Sequence, residues 1–134
     1  VDKIVAAGAR FAVSPGFSAV VGAVVKAAGL PFLPGIQTVS ESLAAAEQGW
    51  RVQKFFPADV AGGQAWLKAV AAPLAGLRYC PTGGVGPETA PAYLGLSNVV
   101  CVGGSWVAPK DAIASKNWSQ IERLAAAAAA LKRS

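Results

Sequence analysis

Histidine is absent from this chain of 134 residues. That absence removes Ser-His-Asp triads, Cys-His dyads and histidine metal sites from consideration within it. Catalysis here has to run on lysine, a carboxylate, tyrosine, cysteine or backbone groups. Charge is scarce too: 14% of residues are charged and 54% are apolar. So few charges argue against disorder, and so apolar a composition suits strands buried on both faces of a sheet. Long hydrophobic runs are missing as well. None approaches the roughly 18 to 20 residues needed to span a bilayer, so no membrane partner is expected. No basic start followed by an apolar stretch and a cleavage site is visible, and a cytoplasmic location is expected. Cysteine is limited to Cys80 and Cys101. Their separation matches no metal or redox motif, and both are expected to be reduced core residues.

The net charge is +5. Its carriers are scattered: Lys3, Arg10, Lys26, Arg51, Lys68, Arg78, Lys110 and Lys116 stand apart, and only Lys132 and Arg133 adjoin. That spacing is no nucleic-acid stripe, so no nucleic acid is expected, and a small anionic substrate fits better. The length suits one domain with a core of its own, residues 1–134.

Five short apolar, β-prone runs recur: Arg10 to Ser14, Leu30 to Pro34, Arg51 to Phe56, Leu77 to Cys80 and Asn98 to Val102. Each starts about 20 to 26 residues after the last, the length of one strand-helix unit. Helix-like stretches separate them: SAVVGAVVKAAG, SESLAAAEQG, QAWLKAVAAP and PETAPAYLGL. Thr38 and Glu41 have capping-box spacing. Pro87 suits a first helical turn. Asn117 and Gln120 can cap a final helix running through the alanines to about residue 132. The alternation predicts an α/β fold with a parallel sheet and helices outside it. A doubly wound sheet and a closed barrel both fit this pattern.

The turns after the runs read Ser14-Pro15-Gly16, Pro34-Gly35, Pro57-Ala58, Pro81-Thr82-Gly83-Gly84 and Gly103-Gly104-Ser105. Small residues there leave room for a ligand and let backbone N–H groups come close to it. Glycine-rich donors suit an oxyanion; tight turning alone also accounts for them. In RVQKFFPAD, Val52, Lys54 and Phe56 share one strand face, and Gln53 and Phe55 the other. Lys54 stands near the carboxyl end of an apolar strand, where desolvation disfavours an ammonium. A neutral amine can attack a ketone to form a Schiff base, with no need of metal or histidine. The alternative is a lysine whose stem lies on apolar surface while its head reaches water.

FAVSPGF, PFLPGIQTVSE, QKFFPAD, the Gly62-Gly63 pair, RYCPTGGV and NVVCVGGSWVAP occur in that order. Together they closely resemble the bacterial 2-keto-3-deoxy-6-phosphogluconate (KDPG) aldolase family, which includes 4-hydroxy-2-oxoglutarate (KHG) aldolase. The resemblance runs along nearly the whole chain. It implies a (β/α)8 barrel, a homotrimer, no cofactor, and class I cleavage of KDPG to pyruvate and glyceraldehyde 3-phosphate in the Entner–Doudoroff pathway. It makes Lys54 the Schiff-base lysine. Gly83, Gly84, Gly104 and Ser105 then hold the substrate phosphate, Thr82 lines the same end, and Phe56 and Pro15 lie near the reacting carbons. Asp59 stands where the family often has glutamate, and little consequence is expected because that residue follows the strand.

The resemblance also implies about three more strand-helix units before AGARF, roughly 70 residues at about 23 per unit. It puts there a proton-shuttling glutamate, and an arginine and a threonine that bind the pyruvate carboxylate. The five units here are then the carboxyl-terminal part of the barrel, expected to be inactive alone and to have two open edges. None of Asp2, Glu41, Glu47, Asp59, Glu88, Asp111 or Glu122 is expected to replace that glutamate, because each falls in a helix-like or helix-start position. Two other readings stand beside KDPG cleavage: an aldolase acting mainly on KHG, and a non-catalytic phosphosugar-binding fragment.

Overall fold

The computed structural model describes residues 1–131; Lys132, Arg133 and the expected end of the last helix lie outside the described residues. Strands and helices alternate as the apolar runs predict. In chain order they are α1 (Asp2–Ala6), β1 (Ala12–Val13), α2 (Ala19–Ala27), β2 (Phe32–Leu33), β3 (Gly35–Ile36), α3 (Val39–Glu47), β4 (Val52–Phe55), α4 (Gly63–Val70), β5 (Arg78–Pro81), α5 (Ala90–Leu94), a 3-10 turn (Ser105–Val107), α6 (Lys110–Ala114) and α7 (Trp118–Ala129).

Local chemistry sets the helix starts. Thr38 accepts from the Glu41 N–H, and the Glu41 carboxylate accepts from the Thr38 and Gln37 N–H groups, which completes the capping box. Those bonds to its charged form hold Glu41 below the usual carboxylate range, against the opposing effect of burial. Asn117 caps α7 by accepting from the Gln120 N–H. Pro87 does not begin a helix: it leads a turn, and α5 starts at Ala90 with Pro91 in its first turn. The Thr89 hydroxyl accepts from the Gly86 N–H, and this holds the chain in that turn.

All strand pairings are parallel. Of the expected strand Leu30 to Pro34 only Phe32–Leu33 is strand, and a second short strand follows at Gly35–Ile36; Pro34 between them has no N–H to extend the ladder. β2 pairs with β1, and just past Pro34 β3 pairs with β4. Ser14 joins the two sheets: its N–H donates to the Leu33 carbonyl, and its hydroxyl accepts from the Gly35 N–H. The expected strand Asn98 to Val102 reduces to isolated parallel pairings, Tyr79 with Val99 and Thr82 with Gly103. Pro81 lies between them and again removes a donor, and the pairing slips by one residue across it.

Helices cover one face of this surface. Ile36, Phe55, Leu67, Tyr79, Val85, Ala90 and Val99 belong to one buried cluster. Phe55 stacks on Trp66 of α4 at 4.4 Å, and Tyr79 meets the same ring edge-on at 5.4 Å. A polar network runs through this apolar layer. The Ser42 hydroxyl of α3 donates to Gln53 Oε1 at 2.6 Å and lies 2.9 Å from the Tyr79 hydroxyl. Gln53 Nε2 donates to the carbonyls of Ser42 and Trp50, both at 2.9 Å. The sequence alone offers no reason for a fully buried glutamine; here every polar atom of its side chain is satisfied.

The other face is open, which corrects the expectation of strands buried on both sides. Val13 is 46% exposed and Val52 42%. The register places Val13 beside Leu33, Gly35 beside Lys54 and Lys54 beside Cys80, so these residues form a stripe across that open face. Among the described residues, no helix is long and apolar enough to cross a membrane.

Replacing Gln53 by leucine leaves the buried Trp50 carbonyl without its donor and takes from the Ser42 hydroxyl its acceptor. The expected cost is about 1–3 kcal/mol of folding stability, seen as a lower urea midpoint with an unchanged slope.

Candidate active site

Lys54 is half-buried rather than enclosed. Its Nζ lies 4.3 Å from the centroid of the Phe56 ring, a cation–π contact. The amine stands on the open face, at the carboxyl end of β4. Gly35 is its register neighbour on β3. A Cβ on Gly35 would collide with the Pro15 backbone. Glycine at 35 thus lets the Ser14-Pro15-Gly16 turn lie directly against the strand next to Lys54.

The glycine turns meet at the same end. A cavity of about 390 Å³ is lined by Phe56, Thr82, Gly83, Gly84, Val85, Gly104 and Ser105. Gly83 and Gly84 take the left-handed φ values +94° and +78°, which ordinary side chains rarely adopt. The turn this makes brings Gly83 against the Phe56 ring and Gly84 against the Asp59 side chain. The N–H groups of Gly83, Gly84 and Gly104 find no acceptor among the described residues. Free donors around a small cavity suit an oxyanion. Phe56 is the link between this cavity and Lys54: its ring touches both.

The residues singled out from the sequence thus fall into two adjoining groups. Thr82, Gly83, Gly84, Gly104, Ser105 and Phe56 share the cavity, while Lys54 and Pro15 stand beside it around Gly35. A larger cavity of about 480 Å³ lies at the opposite ends of the strands, among Phe11, Phe32, Leu33 and Trp50. Its walls are almost wholly apolar, so it lacks the convergent polar groups of a substrate site.

Three neighbours of the site were not legible in the sequence. Val85 completes the cavity wall. Asp59 is not remote: its side chain packs on Gly84, and its charge joins burial in raising the Tyr93 phenol. Cys80 stands next to Lys54 on β5. A hydrogen bond from the Cys101 thiol lowers Cys80 to about 7, against burial, with further help from the Thr82 hydroxyl and the positive charge of Lys54. Holding its proton in that bond pushes Cys101 well above the ordinary thiol range. Cys101 is also exposed, not a core residue, because its segment has no strand beyond it among the described residues. Only strand pairing could have revealed these contacts.

Parallel strands with helices on one face, and a lysine beside a glycine-walled cavity at their carboxyl ends, define an α/β protein with a candidate site at the strand ends. The chain belongs to the KDPG and KHG aldolase family, whose family model matches residues 1–124. It is 43% identical over 128 residues to the 2-dehydro-3-deoxy-phosphogluconate aldolase of Dickeya dadantii, covering 96% of this chain and 60% of that protein. It is 41% identical over 123 residues to the KHG/KDPG aldolase of Escherichia coli, covering 92% of this chain and 58% of that one. Among solved structures, KDPG aldolase of Legionella pneumophila, with pyruvate captured at low pH as a covalent carbinolamine intermediate, superposes with a TM-score of 0.91 at 42% identity. That match covers 95% of this chain and 62% of the other. The KDPG aldolase of Zymomonas mobilis with 3-phosphoglycerate matches with a TM-score of 0.90 at 38% identity, over 99% of this chain and 62% of the other. The chain therefore spans about 60% of the length of the relatives it matches.

The thiol pair generates a prediction of its own. Thiolate absorbance in the ultraviolet should titrate with a midpoint near pH 7 for Cys80, below the ~8.5 of a free thiol. Cys101→Ala removes the hydrogen-bond donor, and the midpoint should move upward.

Proposed function

We propose that the protein is a class I aldolase that cleaves KDPG to pyruvate and glyceraldehyde 3-phosphate. One observation carries this reading: the lysine and the free glycine N–H groups stand at the same strand ends, joined by the Phe56 ring. An amine and an oxyanion seat placed in this way can hold the two ends of one phosphorylated keto acid. In support, the Legionella relative captured pyruvate covalently and the Zymomonas relative was solved with 3-phosphoglycerate. On this reading the chain is a single domain, residues 1–134, that supplies the last five strand-helix units of a (β/α)8 barrel. The open face bearing Lys54 is then the barrel interior. A homotrimer in the cytoplasm is part of the same proposal.

The chemistry follows from the groups in place. Neutral Lys54 Nζ attacks the C2 ketone, and loss of water gives an iminium. Deprotonation of the C4 hydroxyl breaks the C3–C4 bond, whose electrons the iminium takes up as an enamine. Glyceraldehyde 3-phosphate leaves. Protonation of the enamine and addition of water then release pyruvate and free the lysine. The cavity of Gly83, Gly84, Gly104 and Ser105 anchors the phosphate, so binding energy far from the reacting bond orients it. The proton shuttle is the glutamate that the family resemblance puts in the part of its relatives this chain does not span.

The Escherichia coli relative, a KHG/KDPG aldolase, motivates a second reading in which KHG is the main substrate. KHG has no phosphate, so the glycine cavity would contribute little to its binding.

Borohydride reduction in the presence of pyruvate, followed by peptide mapping, should label Lys54, and Lys54→Arg should abolish the label. Labelling of another lysine, or none at all in the full-length protein, would sink the assignment. Removing the Ser105 hydroxyl (Ser105→Ala) should raise KM for KDPG about 10- to 100-fold, the equivalent of one hydrogen bond to a charged group. Turnover of KHG should not change. Equal effects on both substrates would refute phosphate binding in the cavity.

A further inference from the structure

The two thiols have no part in the aldolase chemistry above, yet they meet beside its lysine. Cys80 lies on β5, directly beside Lys54 in the register and 3.8 Å from the Thr82 hydroxyl. Cys101 lies on the segment next to β5. The pairings Tyr79 with Val99 and Thr82 with Gly103 bracket both cysteines, so the two thiols lie close enough to influence each other's ionisation. Neighbouring strands run about 4.7–4.9 Å apart, inside the Cα separation of about 4.4–6.8 Å that a disulfide bridges. The separation of 21 residues in sequence hid this contact; the parallel pairing makes it.

We propose that Cys80, buried on β5, and the exposed Cys101 beside it form an oxidisable dithiol, which closes to an intrachain disulfide when hydrogen peroxide reaches Cys80. Cys80 is the attacking sulfur, because it receives the hydrogen bond and faces the Lys54 charge, whereas Cys101 keeps its proton. The Cys80 thiolate attacks one peroxide oxygen. The O–O bond breaks, and the departing hydroxide takes up a proton to become water. This leaves a sulfenic acid on Cys80. The Cys101 sulfur then attacks the Cys80 sulfur, its proton leaves with the hydroxyl as a second water, and the S–S bond forms. Two thiols are oxidised and one peroxide is reduced. The product has no thiolate on Cys80, so Lys54 loses its nearest anionic neighbour on β5.

The test needs no aldolase activity. The protein is treated with hydrogen peroxide, blocked with an alkylating reagent and digested under non-reducing conditions. Trypsin leaves both cysteines in one peptide, residues 79–110, and cleavage after Glu88 separates them unless a disulfide joins them. The expected result is a joined pair of fragments, with loss of both free thiols per chain and full recovery on adding dithiothreitol. Cys101→Ser, a conservative change at an exposed site, should abolish the joined fragments. Cys80 should then be labelled by dimedone, which traps sulfenic acid. Fragments that separate freely after oxidation of the wild-type protein, a disulfide linking two chains, or dimedone on Cys101 with Cys80 untouched would each overturn the proposal.

Discussion

The parallel register of β4 between β3 and β5 is the constraint on which the site depends. It places Lys54 between Gly35 on one side and Cys80 on the other. Because strand side chains alternate, a slip of one residue would turn Lys54 into the helix-covered layer and Phe55 onto the open face. What resists that slip lies on the hidden side of the strand. Gln53 is held by Ser42 and Trp50, Tyr79 shares the Ser42 hydroxyl, and Phe55 stacks on Trp66. The buried Gln53 and the half-buried Lys54 are adjacent in sequence and opposite in direction, so the network that holds one aims the other.

Close approach is the second theme of the site. Gly35 admits the Pro15 backbone, Gly83 the Phe56 ring and Gly84 the Asp59 side chain. Each contact draws a loop toward a strand end, and together they bring residues from β3, β4, β5 and the segment after residue 98 around one cavity. These turns leave the N–H groups of Gly83, Gly84 and Gly104 without acceptors among the described residues. Phe56 serves both halves of the site, as a wall for the glycines and as a face for the lysine.

Much of the architecture was legible in the chain. The recurring apolar runs, the Thr38–Glu41 capping box and the Asn117 cap all stand where the pattern puts them, because they depend on neighbours within a few residues. Most of the candidate site was legible too: Thr82, Gly83, Gly84, Gly104, Ser105 and Phe56 line one cavity. The errors share a cause. Pro34 ended one expected strand early and Pro81 interrupted the pairing of another, because each withholds the N–H that a neighbouring strand needs. Whether a proline sits at such a point is visible only once the partner strand is known.

By itself, then, the sequence determined the alternation of strands and helices, the absence of histidine chemistry, and the family to which KFFPA, PTGG and GGSW point. These are properties of composition and of short-range spacing. The tertiary structure alone decided which face of β4 is covered, how far Lys54 is exposed, that Gln53 belongs to a satisfied network, and that Cys80 meets Cys101 beside the lysine. Those depend on which strands pair and in what register, and pairing between segments some 20 residues apart leaves no mark in the local order of residues.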